Sequence, residues 1–333
     1  MTLIASLTGC SAAPPAPTLM PAPTPALKLS NPHASREAGK VFDYLVDGIG
    51  KRTLTGQQES TWASGGARHE LDFILDKTGK QPAILGLDYI DPKDYDALNV
   101  RAEKWYKEEG GIVTICWHWG APDIGTGYKN SQKYFDVDAA LRDGTPQNMA
   151  MMRDLDIIAG KLAVLRDKGV PVLWRPFHEF SGTWFWWGKS GPDNFKKLWI
   201  KMHDYYTVTK GLNNLVWVLG YTGEPDAKFY PGDAYVDVAG ADTYVKDHGS
   251  LKPLYERMVA IVGPKRPIAL HENGPIPDPA LVARDGANWA YFMTWHTDFV
   301  TDGKSNSVDD LKRAYGHPRY ITKDRLPDWS ADK

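Results

Sequence analysis

The feature that most limits how this chain can fold is a recurrence. Short, near-continuous apolar runs alternate with helical patterns from about residue 33 onward, and polar or ionisable residues stand at or close to the ends of the runs. The runs are Arg52 to Gln58, Ala83 to Tyr89, Gly111 to Trp119, Val170 to Trp174, Leu215 to Tyr221, Val236 to Tyr244, Pro267 to Asn273 and Ala290 to Phe299. Runs without polar alternation, such as Ile112 to Ile115, suit strands covered on both faces. Helical spacing over Arg36 to Ile49, Gly66 to Lys77, Ala97 to Glu109, Asn148 to Lys168, Asn194 to Thr209 and Leu251 to Val262 separates many of them. Eight such strands predict an α/β chain closed as a single (β/α)8 TIM barrel rather than an open sheet. The 333 residues leave room for one such domain, expected over 33–333, preceded by a tail.

The totals exclude several classes. The 39 basic and 41 acidic side chains leave a net charge of −2, so no electrostatic footprint for nucleic acid is present. No apolar run is long enough to span a bilayer. Two cysteines make no disulfide framework, and Cys116 reads as a small buried hydrophobe. The 13 tryptophans and 16 tyrosines suggest extended stacking surfaces, although large cores also consume aromatics.

The N-terminal residues carry a different signal. Leu3 to Ala13 reads Leu-Ile-Ala-Ser-Leu-Thr-Gly-Cys-Ser-Ala-Ala, and its Leu-Thr-Gly-Cys resembles the lipobox of bacterial lipoproteins, with Cys10 as the acylated residue. Nine residues precede Cys10 and none is Lys or Arg, a departure from the usual basic leader. Residues 1–13 are therefore read as a lipoprotein-type signal remnant. Residues 14–32 are read as a Pro-rich linker, with six prolines between Pro14 and Pro25 acting as a semi-rigid tether. The expectation is an exported, monomeric protein held at the bacterial outer membrane or cell surface, meeting the membrane only through that lipid.

In a barrel of this kind the chemistry sits at the C-terminal ends of the strands. Those ends supply Gln57 and Glu59, Asp88, His118, His178 and Glu179, Asp242 and Tyr244, His271 and Glu272, and Trp295 and His296. Two His-Glu pairs stand out, His178-Glu179 after strand four and His271-Glu272 after strand seven. Strands three apart in an eight-strand ring face each other across the mouth. Two carboxyl groups facing across a cleft lined with aromatics are the parts list for glycoside hydrolysis, with Trp186, Trp187, Trp117 and Trp119 open between core and subsite. One protonates the leaving oxygen, and the other attacks or activates water. The flat rings stack on sugars and can desolvate a neighbouring carboxyl group.

Competing motifs are absent. None of the His-Glu pairs is followed by His at the zincin spacing. Gly182 to Ser190 resembles a phosphate loop, but five residues separate Gly182 from Gly188, most of them Trp or Phe. No Gly-x-Ser-x-Gly elbow and no Gly-x-Gly-x-x-Gly after a strand occurs. No metal ion or organic cofactor is required by this reading.

The segment Trp-Arg-Pro-Phe-His-Glu-Phe-Ser-Gly-Thr-Trp-Phe-Trp-Trp-Gly, from Trp174 to Gly188, resembles the acid/base segment of glycoside hydrolase family 26. That is the β-mannanase family, within the clan of retaining (β/α)8 glycosidases, and the resemblance covers most of residues 35–325. It implies Glu179 as general acid/base and Glu272 as nucleophile. It further implies that His178, standing where many clan members carry Asn, binds a sugar hydroxyl beside the scissile bond. His118 in Trp-His-Trp matches a family histidine near the same subsite, and Trp184 an aromatic beside the acid/base. Tyr244 matches a tyrosine that hydrogen-bonds the nucleophile, and Trp295 the floor of the subsite. Asp242 joins this substrate-binding group, with Arg175, more as an orienter than as a contact. Departures are Ser181 where mannanases often have Asn, the nucleophile segment His-Glu-Asn-Gly-Pro, and His296 where some have Arg. The implied activity is a retaining endo-β-1,4-mannanase acting on mannan, galactomannan or manno-oligosaccharide. The alternatives are β-1,3-xylan or mixed-linkage β-glucan as substrate, exo release of mannobiose governed by the loop Ala121 to Thr145, or a non-catalytic carbohydrate-binding barrel.

Overall fold

The computed structural model describes residues 27–331, so Cys10 and most of the proline-rich stretch lie outside the described residues. Eight parallel strands close into a barrel. They are β1 Gly56–Gln58, β2 Ile84–Asp88, β3 Ile112–Cys116, β4 Val172–Arg175, β5 Leu215–Tyr221, β6 Val238–Thr243, β7 Ile268–Asn273 and β8 Phe292–Thr294. Each strand pairs with its sequence neighbour, and Gln57 of β1 meets Thr294 of β8 to close the ring. Every residue of β3, β5 and β7 is buried, as strands covered on both faces require.

Three of the expected strands differ at their edges. The run Arg52 to Gln58 divides at Thr55. Thr53 and Leu54 leave the ring to pair with Tyr320 and Ile321, and the Thr55 hydroxyl bridges the two sets by donating to the Ile321 carbonyl and accepting from the Ala83 amide. The run Ala290 to Phe299 shrinks to β8 because Thr297 takes a φ of 53° and starts a short helix, Asp298–Thr301. Pro267 to Asn273 persists as β7, but its ladder is interrupted. Ala241 pairs with Leu270 and Asp242 with Glu272, so His271 is the extra residue of a bulge.

Helices cover the outside. The longest, Pro146–Asp167, starts with Thr145 capping the Asn148 amide and Pro146 in the first turn, where its missing N–H costs nothing. It buries Met151, Leu155, Ile158, Leu162 and Leu165 against the barrel. Between β5 and β6 two 3-10 turns, Ala227–Phe229 and Asp233–Tyr235, take the place of a helix. The insertion at 121–145 carries two short helices, Tyr128–Ser131 and Val137–Ala140.

The base of the barrel, at the N-terminal ends of the strands, gathers both described ends. Leu27 and Leu29 pack on the core and the Ser30 amide donates to Asp237 at 2.6 Å, so attachment begins within the stretch 14–32 read as linker. Helix Arg36–Gly48 follows, and Lys40 donates to the carbonyls of Trp329 and Ala331 at 2.8 Å each. Among the described residues no helix is long and apolar enough to cross a membrane.

Ten of the 13 tryptophans are buried, and several of these hold polypeptide rather than ligand. The indole N–H of Trp186 donates to the Trp119 carbonyl and that of Trp187 to the His178 carbonyl, at 2.8 Å each. The three others, Trp62, Trp184 and Trp295, all line the cleft at the C-terminal ends of the strands.

Candidate active site

Glu179 leaves β4 through a tight turn of unusual conformation. Phe177 and Glu179 both have φ in the left-handed region, 52° and 55°. Side chains rarely accept this conformation, and here the neighbours impose it. Phe177 and Phe180 are sunk in the core, Phe180 stacked on Phe195 with ring centroids 4.1 Å apart. The Glu179 amide donates to the Gly220 carbonyl at the end of β5, at 2.7 Å. With its flanks pinned, the Glu179 carboxylate is turned into the cleft, where the Trp184 indole N–H donates to Oε2 at 2.7 Å.

Glu272 approaches from β7. It is buried, and it accepts from Arg175 Nη1 through Oε2 at 3.1 Å and from the Tyr244 hydroxyl through Oε1 at 2.5 Å. Oxygen atoms of Glu179, Asp242 and Glu272 all lie within 4.8 Å of one another. Three carboxyl groups this close to one another cannot all ionise freely, even beside the buried Arg175. Burial pushes Asp242 well above the ordinary carboxyl range, helped by its hydrogen bond to Glu179 and the charges of Glu179 and Glu272. Burial also raises Glu272, opposed by Arg175 and by the Tyr244 hydrogen bond. Burial thus favours the protonated form of Asp242, while Arg175 and the Tyr244 hydroxyl act against that shift at Glu272. Tyr244 stays protonated far above its ordinary range, through burial first and the Glu272 charge second.

The two histidines form a chain. His118 Nδ1 meets Asp88 Oδ2 at 2.5 Å, its amide donates to Asp88 Oδ1 at 3.1 Å, and its Nε2 lies 3.1 Å from His178 Nε2. Burial opposes charge on His118, yet the charge and hydrogen bond of Asp88 hold its pKa above the ordinary value. Burial and the charge of His118 drive His178 well below that value. His118 thus donates to a neutral His178, whose remaining Nδ1 has no partner among the described residues.

The expected catalytic and sugar-binding residues Glu179, Glu272, His118, His178, Trp184, Tyr244, Trp295 and Asp242 meet here. A cavity of about 420 Å³ is lined by Asp88, His118, His178, Glu179, Tyr244, Glu272 and Trp295, together with Trp62, Tyr128, Phe185 and His296. Asp242 and Trp184 line a second cavity of about 730 Å³, which shares Glu179 and Tyr244 with the first. Trp62 went unrecognised in the sequence. It is 60 % exposed and stands edge-on to His296 at 4.7 Å. The signal that could have found it is the one used at strand four, an aromatic a few residues beyond a polar strand end. Glu59, at such an end, is held by Arg101 on the outer side and does not reach the cleft. Asp88, Cys116 and His118 also bring metal-ligand atoms within 4.8 Å of one another, but hydrogen bonds already join Asp88 to both.

The family profile of glycosyl hydrolase family 26 matches residues 30–325. The chain belongs to glycosyl hydrolase family 26. Relatives agree. A mannan endo-1,4-beta-mannosidase of Thermothelomyces thermophilus is 36 % identical over 317 residues, 90 % of this chain and 64 % of that protein. One from Bacillus subtilis strain 168 is 33 % identical, covering 74 % of this chain and 73 % of its own length. The crystal structure of a beta-mannanase from a symbiotic protist of the termite Reticulitermes speratus, complexed with gluco-manno-oligosaccharide, matches with a TM-score of 0.84 at 33 % identity. The match covers 91 % of this chain and 98 % of that one. The chain spans about half to two thirds of the length of several curated relatives. The barrel, its eight strands and its family are thereby those read from the residues.

Proposed function

We propose that this family 26 protein is a retaining endo-β-1,4-mannanase that hydrolyses mannan and galactomannan by double displacement. The observation that carries the reading is the approach of Glu179 and Glu272 across the mouth, with carboxylate oxygens within 4.8 Å. That distance suits the retaining arrangement of about 5–5.5 Å between carboxyl groups and leaves no room for the water of an inverting site. Glu272, ionised and oriented by Arg175 and Tyr244, attacks the anomeric carbon. Glu179 protonates the leaving oxygen, then takes a proton from the water that frees the sugar.

The rest of the site supports sugar binding on both sides of the scissile bond. The free Nδ1 of neutral His178 is a donor for a sugar hydroxyl, and Trp295 offers a ring face beside it. The cavities of about 420 and 730 Å³ meet at Glu179, so a polymer can run past the catalytic pair in both directions, which favours endo attack. Relatives named as mannan endo-1,4-beta-mannosidases make β-mannan the first substrate to try.

Product analysis on linear mannan, galactomannan, β-1,3-xylan and barley β-glucan tests the assignment. Mixed manno-oligosaccharides whose fresh reducing ends are β-anomers by NMR are expected. α-Anomers would end the double-displacement mechanism, mannobiose alone would change the mode to exo, and activity confined to xylan or glucan would change the substrate. Silence on all four would favour a sugar-binding barrel.

A further inference from the structure

His271 precedes Glu272, and neighbours on a regular strand point to opposite faces. The bulge in β7 cancels that rule. His271 and Glu272 both meet Arg175, and they do so at a single nitrogen. Nη1 lies 3.0 Å from His271 Nδ1 and 3.1 Å from Glu272 Oε2. The tautomer is fixed from the other side of the ring, because Nε2 lies 2.7 Å from the Tyr221 carbonyl and must carry the proton it donates there. Nδ1 is left bare to accept from the guanidinium. The ring is 1 % exposed and sits in a slot made by two glycines. A Cβ at Gly220 would come within 2.9 Å of its Nε2, and one at Gly240 within 3.2 Å of its Cδ2.

We infer that His271 is a positioning residue, a neutral acceptor that holds Arg175 on Glu272 without consuming its charge. An acidic side chain in that slot would neutralise the guanidinium and leave Glu272 to bear its burial alone. A neutral imidazole fixes the same geometry and keeps the positive charge for the nucleophile. Burial and the charge of Arg175 keep His271 neutral, which is consistent with this role. The groups facing Glu272 are Arg175, Tyr244, Glu179, Asp242, His118 and Cys116, and those facing His271 are Arg175, His178 and the Tyr221 carbonyl. The inference rests on Glu272 as the nucleophile.

Two isosteres separate positioning from packing. In His271→Asn the side-chain oxygen can take the place of Nδ1 and accept from Arg175. In His271→Gln the amide can replace Nε2 toward Tyr221 and leaves Arg175 without its acceptor. His271→Gln is expected to lose about 10- to 100-fold in kcat/KM on mannan, with KM little changed and the acidic limb of the pH profile moved to higher pH. His271→Asn is expected to stay within roughly threefold of the wild type, with the limb unmoved. Equal losses in both variants, or a His271→Gln enzyme with wild-type rate and acidic limb, overturn the role. Thermal melts of both variants identify a mere packing effect. Glu272→Ala assayed with azide and an activated aryl β-mannoside tests the underlying assignment separately. An α-glycosyl azide product upholds Glu272 as nucleophile whatever the His271 variants do, and full activity without azide removes it.

Discussion

The Tyr244 hydroxyl and Glu272 Oε1 meet at 2.5 Å, although Tyr244 is 40 % exposed at the cleft and Glu272 is buried at the end of β7. The phenol supplies a hydrogen bond to the buried carboxylate from the solvent side, opposite Arg175. Tyr244→Phe keeps the ring and deletes only that bond. A hydrogen bond to a charged group contributes about 1.5–3 kcal/mol, so kcat/KM should fall roughly 10- to 100-fold. Steady-state kinetics on mannan decide it, and a change of less than about twofold would mean that Glu272 needs no second donor.

Glu179 is assigned to protonating the leaving oxygen, and the need for that proton depends on the leaving group. Glu179→Ala should lose about 10²–10⁴-fold on polysaccharide. A dinitrophenyl glycoside, whose phenolate departs unassisted, should suffer far less in the glycosylation step. Pre-steady-state measurement of phenolate release separates the two. An equal loss on both substrates would move the acid role elsewhere.

The Asp88–His118 pair makes a stability prediction with a definite sign. The His118 pKa is raised in the folded protein, so its share is complete below about pH 6.5 and is lost as pH rises through the folded value. The Asp88 pKa is lowered despite burial, held down by His118, so its share is present above about pH 3.9 and is lost on acidification through its folded value. Buried neutral His178 and His271 act with the opposite slope to His118, since both are lowered. The comparison must therefore be with a variant. The gap in melting temperature between wild type and Asp88→Asn should be widest on the mildly acidic side of neutrality and shrink toward pH 9. A gap that widens with rising pH would contradict the charge assignment.

Trp62 stands at the outer end of the smaller cavity with its ring against His296. Aromatic stacking is worth about 0.5–1.5 kcal/mol beyond buried area, so Trp62→Ala should raise KM for mannan roughly 2- to 10-fold with kcat nearly unchanged. A fall in kcat at constant KM would place the indole in the chemistry instead.

The residues that were legible share one property: their signal is local. Strand ends after apolar runs announce Glu179 and Glu272, and the ring order of eight strands puts them opposite each other. His271 was also visible, as half of a His-Glu twin, but its direction was not. A period-two reading turns it away from Glu272, and only the bulge between β6 and β7 brings both to Arg175. The tryptophans show the same limit. Trp186 and Trp184 lie two residues apart in one aromatic run. Trp186 is sealed in the core by its bond to Trp119, whereas Trp184 is 40 % exposed on Glu179. Which ring faces the cleft is decided by tertiary partners such as Trp119 in the loop after β3, and sequence spacing carries no trace of them. The early end of β8 likewise depends on one left-handed residue, Thr297, in a run with no glycine.

Lys40 on the carbonyls of Trp329 and Ala331, with Ser30 on Asp237, ties both ends of the described chain to one pole of the barrel. The cleft opens at the other pole. Anything joined to either end, whether a lipid, a second module or a solid support, would grip the protein from behind. The mouth would still face outward, free to travel along an insoluble fibre that the attachment itself cannot reach.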